Sequence, residues 1–382
     1  MKRIVYLDNA ATTKPLPAVI RAVSESMEED FGNPSSLHNL GVHAQDVFIA
    51  AKREIAEFAG LPSEWLIITG GATEANQTVL LHGTRKANKK RNHILMSDIE
   101  HPSSREAVGG LKEKGYEVEW MKPDALGVIS PESVSQKIRP ETELVSIIGI
   151  HNEIGVKQDI TGIYRAIKSA NPQTRFHVDG VQWFAKYSLP GVSHMPDFFT
   201  WSSHKFHGPR GIGGIFKRPA ISMEPLIRGG GQERGMRSGT ENVAGTIGTA
   251  AALKGLILEE YQKKMIPLQE RIYQSVLSSK DMVWIGPPPG KDRSCFISLF
   301  SIVNKKSEVF IHELESQNIF VSSGSACSEK SQKDKTFWKD FSIDARVLDG
   351  LIRVSFGLLT TEDDVERFCE TVQRLMTKEP AL

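Results

Sequence analysis

The chain has 382 residues and a mass of 42.3 kDa, a length that predicts roughly two to three domains, or one large α/β domain with a smaller satellite. Hydrophobic residues make up 40% and charged residues 24% of the sequence, a composition typical of a globular protein that argues against a disordered chain. The formal net charge is +1, which lacks the cationic surplus that binding to a nucleic-acid backbone requires.

Strand and helix patterns alternate between about residue 60 and residue 220, which is typical of an α/β layer. The apolar runs that predict buried strands are Trp65–Thr69, His93–Met96, Glu117–Trp120, Leu144–Ile150, Arg175–Val178, Phe198–Trp201 and Gly213–Phe216. The stretches that predict helices between them are Glu74–Arg85, Ser103–Lys114, Pro131–Ile138 and Ile160–Ser169.

A long helical pattern, Asn242–Leu277, follows this region and is expected to be interrupted near Pro267. The elements predicted beyond it are the strands Ser294–Phe300 and Ile319–Ser322 and the terminal helix Glu362–Met376. We therefore place a large domain at residues 15–260 and a small domain at residues 1–14 and 261–382.

Polar side chains follow three of the predicted strands. Because ligands of open α/β sheets bind just beyond the carboxyl ends of strands, these side chains predict a shared site. They are Asn152, Asp179, Gln182, Ser203, His204 and Lys205. A strand-terminal polar residue often only caps a helix, but the set together predicts a site for one flat, polar cofactor.

Lys205 is the residue on which this interpretation depends. A lysine in the apolar segment around it either extends its amine to the surface or sits in a partly desolvated pocket. In a pocket, the amine can act as a nucleophile and form a Schiff base. Asp179 supplies the acidic partner that a cofactor with a pyridinium nitrogen requires.

The turn Gly70–Glu74 lies between a predicted strand and a predicted helix, where backbone N–H groups can bind a phosphate. Ser203 and His204 are candidates to complete this anion site, although the same turn also suits an ordinary strand-to-helix connection. His101 lies in a loop on the same expected side of the sheet. It is either a packed histidine or a group that stacks on the cofactor or moves protons.

The cysteines are three in number, widely spaced and without a CxxC pair, so a reducing compartment is expected. Small residues surround Cys327 and a charged stretch follows it, which predicts an exposed nucleophilic thiol. Cys295 and Cys369 lie in apolar patterns and are expected to be structural. The first residues lack the apolar core of a signal peptide and no apolar stretch could span a membrane, so we expect a cytoplasmic protein with no membrane, nucleic-acid or metal partner.

The sequence resembles the cysteine desulfurases, pyridoxal-phosphate enzymes of the class V aminotransferase group. The match covers nearly the whole chain and rests on ten motifs. They are LDNAATT (Leu7–Thr13), FGNPSSLH (Phe31–His38), GATEAN (Gly71–Asn76), EHPS (Glu100–Ser103), HNEIGVKQD (His151–Asp159), FHVDGVQ (Phe176–Gln182), SSHKFHGPRGIG (Ser202–Gly213), GGGQERGMRSGTEN (Gly229–Asn242), SSGSAC (Ser322–Cys327) and IRVSFG (Ile352–Gly357).

The resemblance implies an α/β fold of fold-type I, with a large domain on a mostly parallel sheet and a smaller α+β domain carrying the cysteine loop. It implies that Lys205 forms the Schiff base with pyridoxal 5'-phosphate and that Asp179 contacts the pyridine nitrogen. His101 would stack on the ring, with Gln182 near the phenolic oxygen. The residues that it assigns to the phosphate are Ala72, Thr73, Ser203 and His204, together with Thr240 from the other subunit of a homodimer.

The implied reaction converts L-cysteine to L-alanine. Asn152, which also contacts the cofactor, and Arg353 would bind the substrate carboxylate, while Cys327 takes the sulfur as a persulfide. The persulfide would pass its sulfur to an acceptor protein, such as an iron–sulfur cluster scaffold or a tRNA-thiolation protein. Two positions depart from the family pattern: Val181 stands where alanine is usual, and His151 stands where asparagine is usual.

Other enzyme classes fit part of the same pattern. A general class V aminotransferase or β-lyase has no need for Cys327, and a selenocysteine lyase would depend on it less. A non-catalytic binding homologue is a more distant alternative, since Lys205, Asp179 and Cys327 are all present.

Overall fold

The computed structural model describes residues 3–88, 90–324 and 345–377. The strands are β1 Val5–Tyr6, β2 Leu66–Thr69, β3 His93–Ser97, β4 Glu117–Met121, β5 Thr142–Ile148, β6 Arg175–Asp179, β7 Phe198–Ser202, β8 Gly213–Lys217, β9 Met282–Trp284, β10 Ile297–Ile302, β11 Ile319–Phe320, β12 Ser322–Ser323 and β13 Leu351–Ser355. The α-helices are Pro17–Glu29, Asn39–Phe58, Ala72–His82, Pro102–Arg105, Ala107–Glu113, Pro131–Lys137, Ile160–Ala170, Val243–Leu253, Leu258–Leu277, Ser307–Glu315, Ala345–Leu348 and Glu362–Thr377.

The central sheet has seven strands in the order β2-β8-β7-β6-β5-β3-β4. Strands β4, β3, β5, β6 and β7 pair in parallel, whereas β8 is antiparallel to both β7 and β2. All strands of this sheet except β8 therefore point the same way, and their carboxyl ends meet at one edge. This arrangement confirms the predicted α/β fold with a mostly parallel central sheet.

The middle of the central sheet is buried on both faces because helices cover it on each side. Every residue of β5 is buried, as is every residue of β6. The helix Ile160–Ala170 shows how the cover forms, since Ile160, Ile163 and Ile167 recur on one side of it and are all buried.

A second sheet, built from the C-terminal part of the chain, has the order β12-β13-β10-β9 and is antiparallel throughout. The N-terminal arm joins it: β1 pairs in parallel with β11, and Asp8 forms a bridge with Ser355 of β13. Buried apolar residues of the central sheet and of the second sheet belong to one continuous cluster, which includes Val145 and Phe300. The boundaries of the two expected domains stay a prediction.

The prediction that the helical pattern Asn242–Leu277 is interrupted near Pro267 is wrong about the position of the break. The structure has two helices, Val243–Leu253 and Leu258–Leu277, and the chain turns at Gly255, whose φ is +73°. Glycine adopts this left-handed conformation without strain, so it ends the first helix. Pro267 lies inside the second helix on its exposed side, where water can solvate the backbone carbonyl that proline leaves without a partner.

Two other predicted elements are each divided. The helix predicted at 103–114 consists of two short helices, Pro102–Arg105 and Ala107–Glu113. The strand predicted at 319–322 is two strands that join different sheets, because β11 pairs with β1 whereas β12 pairs with β13. None of the helices in the described part of the chain has the length and apolar character needed to cross a bilayer.

Candidate active site

A cavity of about 640 Å³ opens at the carboxyl edge of the central sheet. The N-terminal arm and the second sheet complete its wall through Ala10–Thr12 and through Ser322 and Ser323 of β12. The sequence-predicted site residues that line it are Ala72, Thr73, His101, Asn152, Asp179, Gln182, His204, Lys205 and Arg353. The fold thus brings together side chains that are up to 281 positions apart in the sequence (72 to 353).

Asp179 is the last residue of β6 and is only 2% exposed. A buried carboxylate needs hydrogen-bond donors, and two are present. Asn76 Nδ2 donates to Asp179 Oδ2 at 2.8 Å, and the backbone N–H of Val181 donates to Asp179 Oδ1 at 3.1 Å. The Thr200 hydroxyl donates to Asn76 Oδ1 at 2.5 Å, which fixes the orientation of the Asn76 amide.

The same Asn76 amide also orients His101. Its Nδ2 donates to Ser103 Oγ at 2.9 Å, so the Ser103 hydroxyl hydrogen is available for His101 Nδ1, 2.8 Å away. The backbone N–H of Ser103 also donates to His101 Nδ1, at 3.1 Å. This network assigns the ring proton of neutral His101 to Nε2. Burial, together with the charge of Lys205, lowers the pKa of His101, so the ring is neutral at pH 7.

Lys205 ends a short 3-10 turn, Ser203–Lys205, that follows β7 directly. Its Nζ donates to the carbonyl oxygens of Ala10 and Ala11 at 2.8 and 2.7 Å. The carbonyl groups of the N-terminal arm therefore help to hold the amine at the cavity.

The helix Ala72–His82 begins at the cavity, and Gly71 precedes it with a φ of +146°. Nothing lies within 4 Å of the point where a Cβ on Gly71 would be, so the turn leaves an open cradle before the helix N-terminus. The first N–H groups of a helix have no partners within the helix and favour an anion. Arg210 also lines this cavity.

His204 lies beside the same cradle, where its Nδ1 is 3.1 Å from the Thr12 hydroxyl. Burial, together with the charges of Lys205 and Arg210, lowers the pKa of His204 to about 4. The ring is therefore neutral at pH 7 and can act as a hydrogen-bond donor to an anion rather than as a cation.

Arg353 reaches the cavity from β13 and is 6% exposed. Its Nη2 donates to Asp8 Oδ1 at 2.7 Å, and its Nη1 donates to the backbone oxygen of Asn152 at 3.1 Å. Its Nε is buried without a hydrogen-bond partner among the described residues. These two contacts hold the guanidinium in place and use two of its five N–H donors, so donors are available to bind a carboxylate.

Three predicted residues do not line this cavity. Ser203 is fully buried below it, where its hydroxyl accepts a hydrogen bond from Thr249 Oγ1 at 2.9 Å. Thr240 lines a neighbouring cleft with Phe48 and Gly70. Cys327 lies outside the described residues.

Sequence reasoning missed four residues that organise the site, namely Asn76, Ser103, Arg210 and Asp8. Each stands inside a motif that carries the family resemblance, which is the one signal in the sequence that could have found them. Their side chains act on other protein groups or sit beside glycines, so neither strand position nor charge pattern marks them.

The two departures from the family pattern fit the site. Val181 lines the cavity two residues after Asp179. The Nδ1 of buried His151 accepts the backbone N–H groups of Glu153 and Ile154 at 3.2 and 3.1 Å, as an asparagine oxygen in a turn would. Burial lowers the pKa of His151 to about 3, so the ring stays neutral in this role.

The sequence matches the family Aminotransferase class-V over residues 5–368. The chain belongs to this family. A NifS/IcsS protein homolog of Lactobacillus delbrueckii subsp. bulgaricus is 34% identical over 96% of this chain and 95% of that protein. The cysteine desulfurase IscS of Dictyoglomus turgidum is 32% identical over 99% and 96%. A solved NifS-like protein superposes with a TM-score of 0.91 at 29% identity, covering 98% of this chain and 100% of that one.

Within the class V aminotransferases, the chain is a cysteine desulfurase and uses pyridoxal phosphate. The cavity fits that cofactor on three independent features. They are the open cradle at Gly71 for a phosphate, the buried carboxylate of Asp179 for a protonated ring nitrogen, and the amine of Lys205 for the aldehyde.

Replacing Asn76 tests the network that holds Asp179. Asn76→Ala removes the amide that donates to Asp179 and to Ser103 and leaves the buried carboxylate with the Val181 N–H, so binding of pyridoxal phosphate should weaken by about tenfold or more. The dissociation constant is measured by adding cofactor to apoprotein and following visible absorbance. Gln77→Ala is the matched control, because Gln77 is the next residue of the same helix and bonds only the Ser103 backbone oxygen. Equal affinities in wild type and Asn76→Ala would contradict this role.

Glu100 predicts a pH-dependent stability. It is 4% exposed, and its Oε1 accepts hydrogen bonds from Ser97 Oγ and from the Ile148 N–H. Burial raises its pKa from 4.5 to about 8, so the folded protein keeps the carboxyl protonated where the unfolded chain ionises it. Glu100 therefore lowers the free energy of unfolding as pH rises from 4.5 to 8, by a few kcal/mol (about 1.4 per pH unit).

Glu100→Gln should remove this decline, because glutamine cannot ionise. Relative to wild type, the variant should gain stability between pH 5 and pH 8, as measured by urea unfolding at each pH. The control is Glu106→Gln, which changes an exposed carboxyl six residues further along the chain. The stability of this variant should decline with pH as that of wild type does. A constant offset between wild type and Glu100→Gln across this range would show that Glu100 does not titrate there.

Proposed function

We propose that this enzyme converts L-cysteine to L-alanine and keeps the sulfur as a persulfide on Cys327 for transfer to an acceptor protein. The observation that carries the proposal is that one cavity joins an amine, a buried carboxylate and an arginine with a free donor, at Lys205, Asp179 and Arg353. These are the groups needed to hold an aldehyde cofactor and an amino acid side by side.

Different residues of the cavity suit the different chemical groups of pyridoxal phosphate. The backbone at Ala72 and Thr73, with His204, suits the phosphate, and Arg210 adds a positive charge nearby. Asp179 suits the ring nitrogen, and the neutral ring of His101 suits stacking on the cofactor. Gln182 faces the same cavity and would lie near the phenolic oxygen, and Ser203 would support the phosphate site from below. When bound, the cofactor supplies an electron sink for bonds broken at the substrate carbon.

Arg353 and Asn152 would bind the substrate carboxylate. Arg353 Nε has no partner among the described residues, whereas Nη1 and Nη2 are fixed by the Asn152 oxygen and by Asp8. The fixed groups hold the guanidinium plane, so the substrate orders little protein when it binds. Lys205 lines the same cavity, which supports one amino acid binding between the guanidinium and the amine.

His101 and Lys205 are the groups available to move protons. The Asn76–Ser103 network leaves the His101 proton on Nε2, and the lowered pKa of His101 keeps it neutral, so it can exchange a proton at pH 7. The Lys205 amine lines the cavity and donates to backbone carbonyls of the arm, and it would act as a base once it leaves these carbonyls.

The sulfur step needs no outside oxidant. The thiolate of Cys327 attacks the sulfur of the substrate, an S–S bond forms, and the carbon–sulfur bond breaks with its electron pair remaining on carbon. A proton then completes the methyl group of alanine, so the cysteine sulfur is oxidised while the substrate carbon is reduced. Ser322 and Ser323, which precede Cys327 in the chain, line the cavity and support this assignment.

We also propose a homodimer in which Thr240 reaches the phosphate of the other subunit. Apolar side chains are exposed along the helices Pro17–Glu29 and Asn39–Phe58 and the loop between them, where a soluble monomer would carry polar residues. They are Ile20, Met27, Phe31, Leu37, Leu40, Val42 and Ile49, with Leu37 98% exposed. Phe48 of the second helix lines the cleft that contains Thr240, so this apolar patch lies next to the residue proposed to reach the other subunit.

The compartment proposed is the cytoplasm. Cys295 and Cys369 are buried free thiols in the described part of the chain, which supports a reducing environment. The acceptor proposed is an iron–sulfur cluster scaffold or a tRNA-thiolation protein, because both use sulfur from a protein persulfide.

The dimer is tested by the oligomeric state at micromolar concentration. Light scattering should report twice the chain mass. The double variant Met27→Glu/Phe31→Glu should weaken association by at least tenfold, because dimer formation would bury the introduced charges. Leu126→Glu, at an exposed apolar position outside the patch, is the control and should stay dimeric. A wild-type monomer with full cofactor occupancy would rule out the dimer.

The reaction is tested with Cys327→Ser. This variant should bind pyridoxal phosphate and L-cysteine normally and lose sulfide release by orders of magnitude, because serine is a poor nucleophile toward sulfur. Mass spectrometry of wild type after incubation with L-cysteine should find one added sulfur on the peptide that contains Cys327.

Cys295→Ser and Cys369→Ser are the controls, since both thiols are buried, and burial raises the pKa of each. They should change stability at most. Unchanged turnover in Cys327→Ser, or a persulfide found only at another residue, would favour a lyase or aminotransferase over a desulfurase.

A further inference from the structure

Lys186 is a second lysine close to the site, and none of the steps above uses it. Its side chain is 2% exposed, and its Nζ donates to Gln182 Oε1 at 2.7 Å. The ring of Phe296 lies 5.7 Å from the same Nζ. A buried ammonium group is costly, so its presence in a core position calls for an interaction that a nonpolar residue would not supply.

The hydrogen bonds around Gln182 indicate what that interaction does. An ammonium group only donates, so the Lys186 contact requires that Oε1 of Gln182 faces Lys186. The Gln182 Nε2 then faces the other way and donates to the Ala10 carbonyl at 2.9 Å. Lys205 Nζ donates to this same carbonyl oxygen at 2.8 Å. A continuous chain of hydrogen bonds therefore leads from Lys186 to the atom that holds the Lys205 amine.

Lys186 and the Ala10 carbonyl fix the orientation of the Gln182 amide from its two ends. A 180° rotation of the amide would turn its oxygen toward the Ala10 oxygen and its donors toward the Lys186 amine. A nonpolar residue at position 186 would offer no donor, so the buried Gln182 oxygen would lose this hydrogen bond and only the Ala10 carbonyl would favour the observed orientation. The Lys186 amine thus reinforces one of two amide orientations in a group that faces the cavity.

We propose that Lys186 is a positioning residue, which orients the Gln182 amide for the cofactor and, through Ala10, keeps the N-terminal arm beside Lys205. This inference rests on the proposed role of Gln182 at the cofactor. Lys186 contacts neither cofactor nor substrate in this proposal, so its whole effect passes through Gln182.

The surroundings of the Lys186 amine change its pKa. Burial, together with the charges of Lys205 and Arg353 and against the opposing effect of Cys295, lowers the pKa of Lys186 to about 7. His204 and His207 also face this charge, and both are neutral at pH 7 because burial lowers the pKa of each to about 4.

A double-mutant cycle tests the proposal. The apoproteins of wild type, Lys186→Met, Gln182→Leu and the double variant are titrated with pyridoxal phosphate, and the dissociation constants are compared. Lys186→Met should weaken binding by about tenfold in the wild-type background and by less than about twofold in the Gln182→Leu background. The visible circular dichroism of the bound cofactor should fall in Lys186→Met and should match that of Gln182→Leu.

Lys168→Met is the control, because Lys168 is a partly buried lysine that bonds Thr174 and Asp197 at the opposite end of the sheet. It should lower thermal stability without changing either cofactor readout. If Lys186→Met is recovered unfolded, Lys186→Leu takes its place in the cycle.

Equal losses of affinity from Lys186→Met in both backgrounds, with an unchanged dichroism band, would overturn the positioning role and leave Lys186 a stability residue. The proposed function fails on a different result, namely a Lys205→Ala variant that keeps a visible absorbance reducible by borohydride. The two failures are therefore distinguishable in one set of variants.

Discussion

The hydrogen bond between Asn76 and Asp179 is the interaction on which the rest of the site depends. A carboxylate that is 2% exposed is several kcal/mol less favourable than one in water unless donors replace the lost solvent. Asn76, which lies within the helix Ala72–His82, supplies such a donor to Asp179, and Thr200 of β7 fixes the Asn76 amide. These donors compensate the Asp179 carboxylate for the water that it loses in the cavity wall.

This one helix also sets the geometry of the anion cradle. Its N-terminus begins at Ala72, and Asn76 lies about one turn further along, roughly 6 Å at the rise of an α-helix. A rigid helix thus fixes the separation between a phosphate at its first N–H groups and a ring nitrogen at Asp179. Through Ser103, the same Asn76 amide also orients His101. The anion cradle, Asp179 and His101 are therefore all positioned by this one helix.

The sequence predicted the residues that stand directly after buried strands, because strand ends and polar residues are both visible in a linear pattern. Asp179, Lys205 and His204 are of this kind, and the sheet brings them together as expected. Asn76 has no such signal, since an asparagine within a helix is ordinary until the facing strand is known. The break at Gly255 was also missed, because glycine lowers helix stability only by about 1 kcal/mol, whereas proline inside a helix is the stronger warning.

The N-terminal arm shows why the two sheets must act together. Ala10 and Ala11 hold the Lys205 amine through their carbonyls, and Asp8 holds Arg353 on β13. The segment Asp8–Ala11 is a turn in which the Ala11 N–H donates to the Asp8 backbone oxygen at 3.1 Å, so the two cations are held by groups only two or three residues apart in one segment. Any displacement of the arm relative to the sheets changes the distance between the amine and the guanidinium. The spacing between the proposed cofactor and the substrate carboxylate is therefore a property of the arm, which explains why a segment at one end of the chain is built into a cavity otherwise formed by strand ends.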